Sequence, residues 1–134
     1  MPEIALEGRI YLPGKGTANG LSRLRRLKVL VDSGASHSFF DDTLATTLGL
    51  NRQSRSSPTA EAVGGRKVDC GADVAPLRLQ LGACTSTVHF LTTSLGKWDA
   101  LLGRDWLRKY NPDIDWVQRT VKVYQKGRNV ILPL

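Results

Sequence analysis

Apolar residues alternate with polar residues in short stretches along most of the chain, and glycine or polar turns separate these stretches. Alternation with a period of two is typical of β-strands that bury one face. We therefore predict an all-β domain rather than a helical bundle. The predicted strands are 4–12, 24–31, 60–63, 67–70, 74–81, 87–91, 100–103, 114–117, 120–124 and 129–132.

Glycines mark the turns between several of these strands. Gly64-Gly65-Arg66 separates two short strands and predicts a hairpin with a flexible tip. Gly82-Ala83 predicts a second hairpin turn. The composition of residues 14–20 and 51–58 predicts loops, and we expect the second loop to be mobile.

Two other segments predict short helices. Residues 41–48 begin with acidic residues, carry apolar residues at helical spacing and precede Gly49, where a helix would end. Residues 105–110 begin with an acidic residue and end with basic ones, which matches the helix dipole. Asn111-Pro112 would then stop this second helix.

Length and composition fit one globular domain, residues 1–134. The hydrophobic fraction is 41% and the charged fraction 23%, both ordinary for a folded protein. No apolar stretch approaches the ~20 residues of a membrane-spanning helix, and the first residues lack the order of a signal peptide. We expect a soluble cytoplasmic protein with no membrane partner.

Charge and the rarer residues exclude several kinds of site. The chain has two cysteines, Cys70 and Cys84, which are too few for a disulfide framework, so we expect buried thiols. Together with the two histidines, His37 and His89, they show no metal-ligand spacing, so we expect no metal. The net charge of +7 raises the question of an anionic partner. Aromatic residues make up only 7% and do not interleave with the basic ones, so we do not expect nucleic acid to be the main partner.

The most distinctive chemistry lies at Asp32-Ser33-Gly34. The strand before it becomes continuously apolar toward Asp32, so a buried strand ends at a carboxylate on a turn of small residues. The alternative is an ordinary Asp-Ser-Gly surface turn. Hydrolysis of a peptide by carboxylates requires one ionised and one protonated partner. The chain carries one such motif, so two copies would have to meet across a two-fold axis.

Two stretches carry a resemblance to a known family. Residues 31–40, VDSGASHSFF, resemble the active-site turn of retroviral-type aspartic proteases. Residues 98–107, WDALLGRDWL, followed by YNPDIDW at 110–116, are similar to a block in the proteases of Ty3/gypsy-type retrotransposon polyproteins. The resemblance covers residues 22–133 and identifies the chain as a retropepsin-like aspartic protease of that family.

This resemblance implies a closed β-barrel or sandwich with a flap hairpin and one or two short helices, acting as a homodimer. It implies that Asp32 is catalytic, that Ser33 ties the two active-site loops together and that Gly34 contacts substrate through its backbone. Ala35 and Ser36 would line the first substrate pocket. The flap tip would contact substrate through Val63, Gly64 and Gly65.

The second stretch, residues 98–107, is expected to contribute residues that support the active site. The resemblance implies that Leu101 and Leu102 form an apolar pocket wall and that Arg104 supports the active-site loop and the dimer. Trp106 and Trp116 would anchor the core. Asp99, Asp113 and Asp115 belong to the family pattern as structural residues.

Three other polar positions have simpler interpretations. Asp41 and Asp42 lie where acidic residues stabilise a helix N-terminus. His37 is expected to be an exposed loop residue close to the motif. His89 alternates with apolar neighbours and is expected to be a half-buried strand residue.

The function implied is that of an endopeptidase in which two Asp32 carboxylates activate a water molecule, without a covalent intermediate, a metal or an organic cofactor. Its substrate would be an extended polypeptide, the Gag-Pol polyprotein of the retrotransposon, and the enzyme would work in the cytoplasm or within virus-like particles. Two alternatives remain. One is a catalytically silent, domesticated dimerisation or peptide-binding module, and the other is an RNA-associated basic domain.

Overall fold

A computed structural model of the chain describes residues 4–12, 23–50, 52–54, 60–63, 66–69, 72–74 and 76–132. Strands dominate it, and the two helices are short, which confirms the predicted all-β class. The strands are β1 (Ile4–Leu12), β2 (Arg23–Val31), β3 (Phe39–Asp41), β4 (Arg52–Ser54), β5 (Ala60–Val63), β6 (Arg66–Asp69), β7 (Ala72–Val74), β8 (Leu77–Leu81), β9 (Cys84–Val88), β10 (Leu91–Thr93), β11 (Ala100–Leu102), β12 (Asp113–Asp115), β13 (Thr120–Gln125) and β14 (Arg128–Ile131). The helices are α1 (Asp42–Thr47) and α2 (Arg104–Tyr110).

Nine strands form one sheet in the order β4-β7-β10-β3-β11-β2-β1-β8-β9, which curls into a half-barrel. β1 and β2 pair antiparallel along their whole length, from Ile4 opposite Val31 to Leu12 opposite Arg23. β11 lies parallel to β2 on its other side and places Leu102 beside Val31. The sequence-distant 100–102 segment therefore supports the strand that leads to Asp32.

The side chains of the sheet pack into two hydrophobic clusters on its opposite faces. The main core contains the inward residues of the β1–β2 pair and of the β8–β9 and β13–β14 hairpins, together with residues of β3 and β11; among its members are Ile10, Val29, Phe40, Leu79 and Leu102. The second cluster consists of Leu30, Ala35, Phe39, Leu91 and Leu101, with Leu95 and Trp98 packed against it. Adjacent residues such as Val29 and Leu30 belong to different clusters because side chains alternate along a strand.

The last three strands form a separate small sheet, β12-β13-β14. Val121 and Val123 are fully buried on its inner face, whereas Tyr124 and Ile131 on the outer face are 70% and 62% exposed. Gln125 attaches this sheet to the large one. Its side-chain Nε2 donates to the carbonyl oxygen of Thr85 at 2.8 Å, and its Oε1 accepts from the Thr85 N–H at 3.2 Å.

Several sequence predictions need correction. Residues 52–54, predicted as part of a mobile loop, form β4, and the pattern did not indicate β3, β7 or β10. His89 is exposed and lies just after β9, within 4.0 Å of the Asp73 carboxylate, rather than half-buried in a strand.

Trp116 is also placed differently from the prediction. It is 43% exposed, while Trp106 is buried as expected. The reason is local: β12 ends at Asp115, whose carboxylate accepts hydrogen bonds from the N–H groups of Val117 and Gln118 at 3.0 Å. This turn carries Trp116 away from the core.

Other predictions agree with the structure. Asp41 caps α1 by accepting from the Leu44 N–H at 3.1 Å, and Gly49 follows the helix with a φ of +65°. Cys84 is buried, and Cys70 and the 14–20 loop lie outside the described residues. Within the described ranges, neither helix has the length and hydrophobicity to cross a membrane.

Candidate active site

Asp32 is the first residue after β2 and sits half-buried at the end of the strand. Its N–H donates to the Leu102 carbonyl oxygen at 3.0 Å, which continues the β2–β11 pairing by one residue. The residues before it, Val29 to Val31, are all buried. A rigid strand thus holds the backbone of Asp32, while its carboxylate lies at the edge of the packed interior.

The turn after Asp32 orients the carboxyl group. Oδ1 of Asp32 accepts a hydrogen bond from the Gly34 N–H at 2.8 Å, and the Asp32 carbonyl oxygen accepts from the Ala35 N–H at 3.2 Å. A backbone donor to a carboxylate is charge-assisted and therefore among the stronger hydrogen bonds. The Gly34 N–H of the same chain thereby fixes the orientation of the Asp32 side chain.

Ser38 and Asp105 anchor the far end of this active-site loop. The Ser38 hydroxyl, fully buried, donates to Oδ1 of Asp105 at 2.7 Å and accepts from the Gly103 N–H at 3.2 Å. The Ser38 N–H donates to Oδ2 of Asp105 at 3.2 Å. These bonds join residues more than 60 positions apart and fasten α2 to the loop.

Gly103 lets α2 approach the loop closely. A Cβ atom at this position would lie 2.8 Å from the Ala35 carbonyl oxygen and closer still to that of His37. The next residue, Arg104, donates its N–H to the same Ala35 oxygen at 2.8 Å. A side chain at residue 103 would therefore separate the helix from the loop it supports.

Apolar residues of the second cluster lie beside this loop. Ala35 belongs to the loop itself, and Leu30 and Leu101 are neighbours across the β2–β11 pair. Phe39 and Leu91, paired across β3 and β10, extend the cluster. The structure places Leu101 and Ala35 in the same cluster and Leu102 on the opposite face in the main core. The contact of these residues with substrate stays a prediction.

The remaining predicted residues are positioned as follows. Within the described part of the chain the Ser33 hydroxyl makes no hydrogen bond. Ser36 lies in the same loop, with its Oγ 3.1 Å from Nδ1 of a half-buried His37. Arg104 is exposed, and its N–H donates to the Ala35 carbonyl oxygen. Its role in a dimer stays a prediction.

The segment predicted to be the flap forms a hairpin, and its role as a flap stays a prediction. β5 pairs antiparallel with β6, and Val63 is opposite Arg66 at the end nearest the turn. Gly64 and Gly65 lie outside the described residues, and their contact with substrate stays a prediction.

Sequence reasoning missed Ser38 and the role of Asp105. It assigned Asp105 only to the favourable charge at a helix start. The signal in the sequence was Gly-Arg-Asp directly after an apolar strand. This local pattern does not show that the Asp105 carboxylate has its partner, Ser38, 67 residues earlier in the chain.

The fold is shared with solved retropepsin-like structures. The retroviral protease-like domain of Ddi1 from Leishmania major aligns with a TM-score of 0.61 and 20% identity, over 99% of this chain and 96% of that one. A retropepsin-like aspartic protease from Rickettsia conorii aligns over 99% of this chain and 94% of that one, at 17% identity and a TM-score of 0.44. The alignment with the Ddi1 domain shows that the fold is retropepsin-like. The family can be stated more narrowly than the fold. The family model of the PEG10/RTL1 protease domain matches residues 28–128, and the chain belongs to that family.

Proposed function

We propose that the protein is an aspartic endopeptidase whose active form is a homodimer with one Asp32 from each subunit. The observation that carries this proposal is the placement of Asp32. It ends a buried strand, it is oriented by the Gly34 N–H, and it lies in a fold used by retropepsin-like proteases.

The chemistry follows from two neighbouring carboxyl groups. Two like charges at close distance share one proton, so one Asp32 is ionised and the other is protonated. The ionised group takes a proton from a water molecule, whose oxygen attacks the peptide carbonyl carbon, while the protonated group donates to the carbonyl oxygen. Collapse of the tetrahedral intermediate transfers a proton to the leaving nitrogen and breaks the C–N bond. No bond forms between enzyme and substrate.

A second copy of the chain completes this site, and two features support such a dimer. The Ser33 hydroxyl, without a partner in the described part of its own chain, is available to a neighbouring active-site loop. The outer face of the small C-terminal sheet exposes Tyr124 and Ile131, with Trp116 and Val117 in the adjoining turn. Exposed large apolar side chains that cluster mark interaction surfaces. We assign this face to the dimer.

The substrate we propose is an extended polypeptide, in the form of a Gag-Pol type polyprotein. The polyprotein assignment and the Ty3/gypsy relationship rest on the motif resemblance.

The test is cleavage of a diverse peptide library by the native chain, by Asp32→Asn and by Asp42→Asn. Asp42 is an exposed acid at the start of α1, so its variant controls for the loss of one negative charge. We expect the native chain and Asp42→Asn to cut and Asp32→Asn to be inactive, with sedimentation showing all three as dimers.

Other outcomes would refute the proposal. Dimers of the native chain that bind peptides and cut none would identify a peptide-binding module. Binding of RNA that weakens steeply with salt and is unchanged in Asp32→Asn, with no cleavage, would identify an RNA-associated domain.

A further inference from the structure

The outer face of strands β2, β1, β8 and β9 carries an excess of positive charge. Arg9 is exposed between the buried residues Gly8 and Ile10, so its side chain points away from the core. The strand register places Arg26 of β2 opposite Arg9, and Gln80 of β8 lies on the other side of Arg9. We call this surface the basic face, and its basic residues are Arg9, Arg26, Lys28 and Arg78.

The register also decides which charges belong to this face. Arg25 alternates with Arg26 along β2 and points to the opposite face, so its charge is not counted. Glu7 is the only acidic residue in the sequence of the four strands, and four positive charges against this one leave +3. At the border of the face the Asp99 carboxylate accepts from the Lys28 backbone N–H at 2.7 Å, and +2 remains when that acid is included.

The opposed arginines Arg9 and Arg26 are unfavourable for the chain alone. Directly opposite residues of an antiparallel pair have Cβ atoms about 4.5–5.5 Å apart, and like charges at this distance destabilise the sheet. Glu7 pairs with Arg26, with 3.3 Å between Oε1 and Nε. Within the described part of the chain Arg9 has no carboxylate partner. An anion between the two guanidinium groups turns this repulsion into attraction, and phosphate suits it because guanidinium binds phosphate in a bidentate manner.

The neighbouring positions on the face offer planar groups. Tyr11 is partly exposed, and the guanidinium carbon of Arg78 lies 4.7 Å from the centroid of its ring. Aromatic rings and guanidinium groups both stack on nucleobases, which an acidic peptide does not have. A lipid surface is bound through a wide apolar face, whereas Leu24 is the one large exposed apolar residue among the described residues of the basic face. Single-stranded nucleic acid is therefore the partner that fits both features.

We propose that the basic face binds single-stranded nucleic acid, with a phosphate between Arg9 and Arg26 and a base stacked on Arg78 and Tyr11. Arg26 precedes Asp32 by six residues, roughly 20 Å along β2. The bound strand therefore lies apart from the proposed catalytic site, and one molecule can carry both activities. The inference does not rest on the peptidase function, and it gives a role to part of the net charge of +7 that peptide hydrolysis does not use.

The experiment measures the fluorescence anisotropy of labelled oligouridylate and oligothymidylate between about 50 and 200 mM salt. The double variant Arg9→Gln/Arg26→Gln tests the basic face, and Arg108→Gln/Lys126→Gln removes two exposed charges elsewhere as the matched control. We expect the native chain and the control to bind, and the tighter of the two oligonucleotides identifies RNA or DNA as the ligand. The first variant should bind at least about ten-fold more weakly. The slope of log K against log salt should fall by about 1.4, since each phosphate contact to a single strand contributes about 0.7.

Arg78→Lys tests the stacking step separately. It keeps the charge and removes the planar group, so binding should weaken while the salt slope stays as in the native chain. Equal affinity of the native chain and Arg9→Gln/Arg26→Gln, or an equal loss in the control, overturns the inference. If oligoglutamate or vesicles with an anionic phospholipid bind through Arg9 and Arg26 and the oligonucleotides do not, an acidic polypeptide or a membrane replaces nucleic acid as the partner.

Two further measurements separate these outcomes from misfolding and from the peptidase proposal. Arg9→Gln alone relieves the repulsion and keeps the pair of Arg26 with Glu7, so its urea denaturation midpoint should be no lower than that of the native chain while its oligonucleotide binding is weaker. Peptide cleavage by the variants of the basic face should match that of the native chain, because the face lies apart from Asp32. Binding without any cleavage by the native chain refutes the peptidase proposal and supports this inference, and cleavage without binding does the reverse.

Discussion

Removal of the Ser38 hydroxyl tests whether one buried contact holds the active-site loop against α2. In Ser38→Ala the backbone stays as it is, and two hydrogen bonds disappear. Those are the bond to Oδ1 of Asp105 at 2.7 Å and the bond from the Gly103 N–H at 3.2 Å.

The expected cost follows from what each partner loses. A hydrogen bond to a charged group contributes about 1.5–3 kcal/mol, and a buried N–H left unpaired costs about 1–3 kcal/mol. Asp105 keeps its bonds from the N–H groups of Ser38 and Trp106, so its carboxylate is not left unpaired. We therefore expect Ser38→Ala to lower the free energy of unfolding by about 3 kcal/mol, a large share of the ~5–15 kcal/mol of a typical domain.

Ser86→Ala is the matched control. Ser86 is also a buried serine, 4% exposed, but its hydroxyl has no hydrogen-bond partner among the residues that the structure describes. Its removal should be neutral or stabilising, because it relieves an unsatisfied polar group. Urea denaturation at one fixed protein concentration measures both variants, since association affects apparent stability. Equal costs for the two variants, or a larger cost for Ser86→Ala, would refute the assignment of Ser38 as the anchor.

Three further predictions address other parts of the molecule. Gly103→Ala should cost more than ~3 kcal/mol because its Cβ meets backbone atoms, whereas Gly96→Ala, with a φ of +66° and open space around it, should cost only about 1–2 kcal/mol in urea denaturation. Burial raises the pKa of the Cys84 thiol, so in a Cys70→Ser background iodoacetamide should label the native protein far more slowly than the urea-unfolded one. The same shift should make stability fall as pH rises above the unfolded thiol's pKa, since only the unfolded chain ionises there. Tyr124→Lys should give a monomer by sedimentation that no longer cleaves peptide, and an active dimer of this variant would exclude the C-terminal sheet from the interface.

Much of the architecture could be predicted because β1 and β13 bury only one face. The alternation over Ile4–Leu12 and Thr120–Gln125 is regular, and the predicted strands agree with those observed. The strand that ends at Asp32 was also recognisable, since its residues become continuously apolar as both of its faces are covered.

The parts that could not be predicted depend on contacts distant in sequence. β3 and β10 have three residues each and pair in parallel, so neither has room for a visible alternation. The partnership of Ser38 with Asp105 is a property of the folded chain. The resemblance implied a buried Trp116, but β12 ends one residue earlier, where Asp115 closes a turn.

The bond between Gln125 and Thr85 has a consequence for association between molecules. β9 is an outer strand of the large sheet, and an outer strand ordinarily presents free peptide groups on which another chain can pair. The amide of Gln125 occupies both the N–H and the carbonyl oxygen of Thr85, as a neighbouring strand would. One side chain thus interrupts the ladder available to an incoming strand, and it protects this edge against sheet-to-sheet aggregation where many copies of the protein are crowded together.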